Sequence, residues 1–182
     1  MIEREVKLQF GAPEEARAAI LAAGASAVRA RRLQRDVLFD TSDQALRRRG
    51  CALRVRSEDG ETSFTFKGPV QPGRMKVREE HETRVQSGEV LTRILAELGF
   101  APWFVYEKHR EEFASDGVTV AIDDTPIGTF VELEGEEGGI LRVARAIGRT
   151  PEEFILSSYQ SLFLARRDTY GLDGRDMVFP AR

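Results

Sequence analysis

One cysteine, two histidines and only four lysines stand among 182 residues. The single thiol, Cys51, excludes an intrachain disulfide framework and a thiolate metal cluster, and it suits a reducing compartment. No apolar run approaches the length of a membrane span, and Met1 leads straight into charged residues without an apolar leader, so a cytoplasmic chain is expected. A formal net charge of -3 and a pI near 5.6 argue against a surface that tracks extended nucleic acid. Any anion site must therefore be local. Internal repeats, low-complexity tracts and linkers are also missing. With 41% hydrophobic residues the chain can bury one sizeable core, and residues 1–182 read as a single domain. A homodimer stays open.

Charge is abundant, at 31% of residues. Of 27 basic side chains, only Lys7, Lys67, Lys76 and Lys108 are lysines, and each lies in a strand-like segment. Arginine serves the remaining segments. Arg29, Arg31, Arg32 and the run Arg47-Arg48-Arg49 are expected to be solvated faces.

Eight segments alternate apolar and polar residues with β-branched or aromatic content: roughly 2–9, 35–41, 51–57, 62–68, 76–85, 104–113, 118–124 and 129–134. Short turns rich in Gly, Asp or Pro at 58–61, 114–117 and 125–128 require antiparallel neighbours. Helices are expected at 14–23, bracketed by Pro13 and Gly24, and at 89–98, with Leu91, Ile94, Leu95 and Leu98 on one face. A third is expected at 139–147. A fourth opens on the capping-box spacing of Thr150-Pro151-Glu152-Glu153 and is expected to run to about Arg166. The tail from Asp168 to Arg182 is turn-rich and expected to pack loosely.

The polar phase of the strands carries the chemistry. It reads Glu3, Glu5, Lys7; Arg54, Arg56; Thr65, Lys67; Lys76, Arg78, Glu80, Glu82; Lys108, Arg110; Asp123; Glu132, Glu134, while the opposite phase is apolar. Two arrangements fit: an open antiparallel sheet with its charged face in water, or an eight-stranded barrel with a polar lumen and helices outside. Segregation of arginine pairs and glutamate pairs onto different strands favours the barrel, because a sheet built for stability would oppose unlike charges. Hard divalent cations such as Mg²⁺ or Mn²⁺ take carboxylate oxygens, which Glu3, Glu5, Glu132 and Glu134 could supply. Guanidinium and ammonium groups of Arg54, Arg56, Lys67, Arg78, Lys108 and Arg110 suit phosphate oxygens. So many buried charges make sense when a ligand of matching charge enters.

With these residues in order, the chain resembles the CYTH superfamily, the triphosphate tunnel metalloenzymes that include class IV adenylate cyclase and thiamine triphosphatase. The matching motifs are Glu3-x-Glu5-x-Lys7; Asp36 before Phe39-Asp40-Thr41; Leu53-Arg54-x-Arg56; Lys67 before Gly-Pro; Arg78-Glu79-Glu80-x-Glu82; Lys108-x-Arg110; Asp123; Gly128-x-Phe130-x-Glu132-x-Glu134; and Ser158-Tyr159. The resemblance implies an eight-stranded antiparallel tunnel that binds triphosphates with Mg²⁺ or Mn²⁺. It implies Glu3, Glu5, Glu132 and Glu134 as metal carboxylates, with Asp123 and Glu80 or Glu82 as further candidates. It implies Lys7, Arg54, Arg56, Lys67, Arg78, Lys108 and Arg110 as phosphate ligands. Leu38 stands where some relatives carry a tyrosine, so a lysine and tyrosine dyad for activating water cannot be completed there, which shifts that role toward Lys7 or a metal-bound water, with Glu80 and Glu82 as the other catalytic candidates. No lysine follows Lys108, so a lysine that some relatives place on the C-terminal plug helix has only Arg166 or Arg167 as a substitute here, or none.

Single residues read more plainly. His81 and His109 sit off the charged phase as surface or packing residues, Cys51 is a small core residue, and Trp103 and Phe104 cap the core, with stacking on a base or thiazole ring as the alternative. Tyr159 is structural or catalytic. Three functions follow, in order: metal-dependent hydrolysis of a small triphosphate (tripolyphosphate, thiamine triphosphate or a nucleoside triphosphate), cyclisation of ATP by a class IV adenylate cyclase, and polyphosphate binding without turnover.

Overall fold

Eight antiparallel strands close on themselves in a computed structural model that describes residues 1–172 and 174–180. The strands are β1 (Ile2–Phe10), β2 (Ser26–Thr41), β3 (Ala52–Glu58), β4 (Glu61–Lys67), β5 (Lys76–Val85), β6 (Phe100–Ser115), β7 (Val118–Thr125) and β8 (Gly128–Glu134). Around the barrel they run β1-β5-β4-β3-β2-β6-β7-β8, and β8 pairs back to β1. Among the described residues five α-helices accompany them: α1 (Pro13–Ala22), α2 (Ala45–Arg48), α3 (Gly88–Glu97), α4 (Glu137–Ala146) and α5 (Tyr159–Arg166). The closed barrel is thus the arrangement adopted, and no open edge is left to cover.

Alternation explains where the core lies. The outward phase of β1, β7 and β8 supplies Val6, Leu8, Val120, Ile122, Val131 and Leu133, which pack on Ala16 and Ile20 of α1 and on Ile140, Val143 and Ala144 of α4. Burying each large aliphatic side chain there contributes about 1.5–3 kcal/mol. A second cluster sets Phe39, Leu53 and Val55 against Leu46 of α2 and Leu91 and Leu95 of α3. The third differs in kind. Phe104, Tyr106 and Phe130 belong to the lumen phase, since they face Leu38, Asp36 and Asp123 across the ladders, and they pack against Tyr159, Leu162 and Phe163 of α5. Helix α5 therefore closes one end of the barrel.

Tight turns fix the registers. Asp59-Gly60 and Asp116-Gly117 both have positive φ at their two central residues, the geometry whose twist suits two-residue hairpins, and they join β3 to β4 and β6 to β7. Helix α2 is held differently: the Asp40 carboxylate accepts from the backbone N–H of Leu46 at 2.9 Å and Arg47 at 3.0 Å. Nothing in the sequence pattern announced this four-residue helix.

Several expectations are corrected. Strand β2 begins at Ser26, well before residue 35, and carries Arg32 into a buried position against Glu112 at 2.9 Å and Glu58 at 2.6 Å; Arg32 is no solvated residue. Ile94 and Leu98 point outward from α3 and are exposed. The fourth helix is not continuous. The capping box forms, but only a 3-10 turn (Pro151–Glu153) follows it, and Phe154 takes extended geometry. Ile155 then exchanges backbone hydrogen bonds with Lys7 at 2.8 and 3.1 Å, so pairing with β1 outcompetes helix propagation. Part of the tail is tied down: residues 168–171 are exposed, but Met177 is fully buried and pairs with β6 through Val105 and Glu107, beyond the stretch of β6 that β7 covers. Asp173, Ala181 and Arg182 of that tail lie outside the described residues. No helix among the described residues is long and apolar enough to cross a membrane.

Candidate active site

The lumen holds a cavity of about 910 Å³. Its charge follows from register, because residues directly paired in an antiparallel ladder share a face. Glu3 pairs with Arg78 and Glu5 with Lys76 between β1 and β5; Lys7 pairs with Glu132 and Glu5 with Glu134 between β1 and β8. Lys67 faces Glu80, Arg56 faces Asp36, and Arg110 faces Asp123 on their own ladders. Every sequence-proposed site residue except Asp123 lines this one cavity: Glu3, Glu5 and Lys7 from β1, Arg54 and Arg56 from β3, Lys67 from β4, Arg78, Glu80 and Glu82 from β5, Lys108 and Arg110 from β6, Glu132 and Glu134 from β8.

Side chains pair across these registers. Glu3 accepts from Lys67 Nζ at 2.6 Å and Arg78 Nε at 3.0 Å. Glu5 accepts from Lys7 Nζ at 3.0 Å and from Lys76 Nζ. Glu132 meets Lys7 at 3.2 Å and Lys108 at 3.8 Å, and it accepts from Arg110. Lys67 also holds Glu80 at 2.6 Å. Asp36, fully buried, accepts from Arg56 Nε at 2.8 Å and lies 3.4 Å from Arg54. Arg54 reaches Thr65 at 3.2 Å and Glu82 at 3.4 Å.

The electrostatics follow the same pairing. Burial works to raise the Glu5 carboxyl, but Lys7 and Lys76 outweigh it and hold it well below the usual range. Burial likewise opposes the charge of Lys7, which is 2% exposed, yet Glu5 and Glu132 push its ammonium above the ordinary lysine value. Lys76 and Lys108 go the other way. Burial, joined by Lys7 for the first and Arg110 for the second, brings each down to about 8. Glu134 is pushed up to about 7 by desolvation within the cavity and by Glu3, Glu5 and Glu132. That last shift is a map, since four carboxylates that repel one another face a common volume.

The donor set fits a hard divalent cation: glutamate oxygens facing one lumen, those of Glu3, Glu5 and Glu132 buried and that of Glu134 exposed, with arginines and lysines at hand for a polyanion. As placed, the carboxylates turn to ammonium and guanidinium partners, and no group of three acidic, histidine or cysteine side chains among the described residues is set to hold an ion. Holding one requires the carboxylates to exchange those partners. Asp123 stands apart. It has 0% exposure and does not line the cavity; it accepts from Lys108 Nζ at 2.7 Å, Arg110 Nε at 2.7 Å and Tyr159 Oη at 2.7 Å.

Lys76, Tyr106 and Tyr159 also line the cavity, beyond the residues proposed from the sequence. Lys76 was on the charged phase by alternation, yet its tie to Glu5 depends on β1 meeting β5. Tyr106 keeps the parity of Lys108 and Arg110, a signal that was available. Tyr159 of α5 has Lys7 Nζ 5.2 Å and Lys108 Nζ 5.0 Å from its ring centroid, and burial, then Asp123, raises its hydroxyl well above the ordinary tyrosine value. It is a protonated donor. Leu38 does line the cavity, and neither Arg166 nor Arg167 does. Trp103, under the Arg47 guanidinium at 4.3 Å, stands where the cavity adjoins a smaller one of about 360 Å³.

Comparison with known proteins agrees with this geometry. Residues 1–151 match the family model described as CYTH domain. A Methanocaldococcus jannaschii protein named as a proposed adenylate cyclase, MJ0240, is 28% identical over 173 residues, covering 89% of this chain and 98% of that one. The PH1012 protein of Pyrococcus horikoshii has a similar structure, with TM-score 0.75 and 27% identity over 88% of this chain and 98% of its own. A Hippeastrum protein, HpAC1, described as a proposed adenylyl cyclase with a dominant triphosphatase activity, shares the fold at TM-score 0.65 and 19% identity, covering 90% of this chain and 95% of that one.

Proposed function

The chain belongs to the CYTH family, and from that premise we propose that it hydrolyses a small triphosphate with Mg²⁺ or Mn²⁺, as one cytoplasmic domain spanning residues 1–182. One observation carries this reading: a closed barrel whose lumen sets six glutamates against nine lysines and arginines, most of them buried or half-buried and joined in ion pairs. Buried ion pairs add little to stability compared with apolar packing, so a lumen built of them suits a ligand that is itself a salt, an anion chain with its cation. The description of HpAC1 as a dominant triphosphatase supports hydrolysis over cyclisation.

Each group then has a task. Arg54, Arg56, Lys67, Arg78, Lys108 and Arg110 take phosphate oxygens, the guanidinium forks in pairs and the ammonium groups singly. Glu3, Glu5, Glu132 and Glu134 hold the cation, which when bound neutralises phosphate charge and polarises the phosphoryl group. Lys7, kept protonated by Glu5 and Glu132, stabilises negative charge as the phosphoryl group transfers and is a poor base. Glu80 suits the base role better, because burial, with Glu3 nearby, raises its carboxyl above the usual range while Lys67 orients it. Asp123 and Tyr159 work from behind the wall, holding Lys108 and Arg110 in place.

Incubation with Mg²⁺ or Mn²⁺ and, separately, tripolyphosphate, ATP and thiamine triphosphate tests the proposal. Metal-dependent release of phosphate supports it. Cyclic AMP from ATP would instead support the cyclase reading, and tight binding without turnover would reduce the protein to a binding module.

A further inference from the structure

Glu5 is the lumen carboxylate that faces another acid directly across a ladder of β1. Its neighbour on β8 is Glu134, whereas Glu3 faces Arg78 and Lys7 faces Glu132. Like charges in direct cross-strand register destabilise a sheet. On the other side of Glu5 stands Lys76, 4% exposed, whose Nζ donates to Oε1, the same oxygen that Lys7 contacts at 3.0 Å. Among the described residues the other three lysines each bridge two carboxylates: Lys7 joins Glu5 and Glu132, Lys67 joins Glu3 and Glu80, and Lys108 joins Asp123 and Glu132. Lys76 has Glu5 alone.

We propose that Lys76 is a built-in counter-ion, which neutralises Glu5, the acid set against Glu134, until a divalent cation arrives with a triphosphate and then turns its ammonium to the phosphate chain. This rests on the metal-triphosphate reading above. A cation entering alone would crowd a second positive charge beside Lys76 and Lys7 and would bind poorly. A triphosphate entering alone would meet Glu5 and Glu134 without a cation to shield them. Arriving together, they exchange every pairing at once: glutamate oxygens go to the metal, and Lys76 goes to phosphate. Metal and triphosphate are thereby coupled, each raising the affinity of the other by the same factor.

Free Mn²⁺ followed by electron paramagnetic resonance, with the full chain in its wild-type, Lys76→Met and Lys76→Arg forms, tests the assignment with and without tripolyphosphate. Methionine keeps the apolar stem and removes the charge. Lys76→Met is expected to bind Mn²⁺ alone about tenfold tighter than the wild type, and to bind tripolyphosphate in saturating Mn²⁺ about tenfold more weakly. Lys76→Arg should restore both values toward wild type. A lysine needed only for packing would weaken both affinities together, so an Mn²⁺ affinity in Lys76→Met equal to or below wild type overturns the proposal. Should Lys76→Met fail to melt cooperatively, Lys76→Gln puts the same question with a polar stem. Wild-type protein that binds neither Mn²⁺ nor tripolyphosphate would sink the functional reading as well, whereas normal wild-type binding with an unresponsive Lys76→Met sinks the counter-ion role alone.

Discussion

Replacing Asp123 with asparagine separates an anchor from a metal ligand. The carboxylate has no exposed surface and takes four hydrogen bonds, from Lys108, from Arg110 twice and from Tyr159, all at 2.6–2.7 Å. Asparagine keeps the shape, removes the charge and turns an amide NH₂ toward donors. Breaking a buried ion pair from one side costs about 3–5 kcal/mol, and the lower end applies because Glu132 still meets both Arg110 and Lys108. At this chain length about 1 kcal/mol moves Tm by about 2–4 °C, so a loss near 3 kcal/mol lowers it by about 6–12 °C. Calorimetry reads the melt and an Mn²⁺ titration reads the metal. Asp123 lies behind the cavity wall, so Mn²⁺ affinity is expected to stay at the wild-type value. A Tm within about 2 °C of wild type would refute the anchoring argument. A tenfold drop in Mn²⁺ affinity would return Asp123 to the ligand set.

Glu5→Gln is expected to abolish turnover while the fold survives, since Lys7 keeps Glu132 and Lys76, already at about 8, can shed its proton; unchanged phosphate release would remove Glu5 from the metal site. Arg56→Ala should raise KM and lower kcat together, a loss of about 10- to 100-fold in kcat/KM, because the same guanidinium holds ground and transition states; steady-state kinetics with full activity would exclude it from the site. The pH dependence carries two opposite signs. Lys76 and Lys108 titrate near 8 in the fold but at an ordinary 10.5 when unfolded, so between these values the unfolded chain holds more protons and the free protein gains stability as pH rises. Over the same window both ammonium groups are lost and tripolyphosphate affinity should fall. Melts and calorimetric titrations compared at about pH 7.5 and about pH 9.5 that moved in the same direction would contradict the two assignments.

Alternation made the strands and the charged phase legible, because a period of two needs no partner to be seen. Partners were less visible. Segregation of arginines and glutamates by strand favoured the barrel, and the barrel is there, yet the registers oppose unlike charges after all at Glu3 and Arg78, Lys7 and Glu132, Lys67 and Glu80, and Arg110 and Asp123. Glu5 against Glu134 is where the argument held. Closure of β8 onto β1 joins the two ends of the sheet, and no local window of residues reports it. Ile155 shows the same limit: a good capping box began a helix on paper, while a backbone pairing with Lys7, distant in the chain, ended it in space. Arg32 looked solvated because Glu58 and Glu112, its partners, come from other strands. The depth of Asp123 depends in turn on Tyr159, whose helix packs across the lumen.

Anomalous diffraction from crystals grown with Mn²⁺ and tripolyphosphate tests the central claim most directly. The expected map has manganese bounded by glutamates of β1 and β8, Glu5 and Glu134 among them, and a phosphate chain against Arg54, Arg56, Lys67 and Lys108. A manganese peak outside the barrel, or a lumen in which tripolyphosphate binds without metal and leaves Glu5 on Lys76, would contradict it.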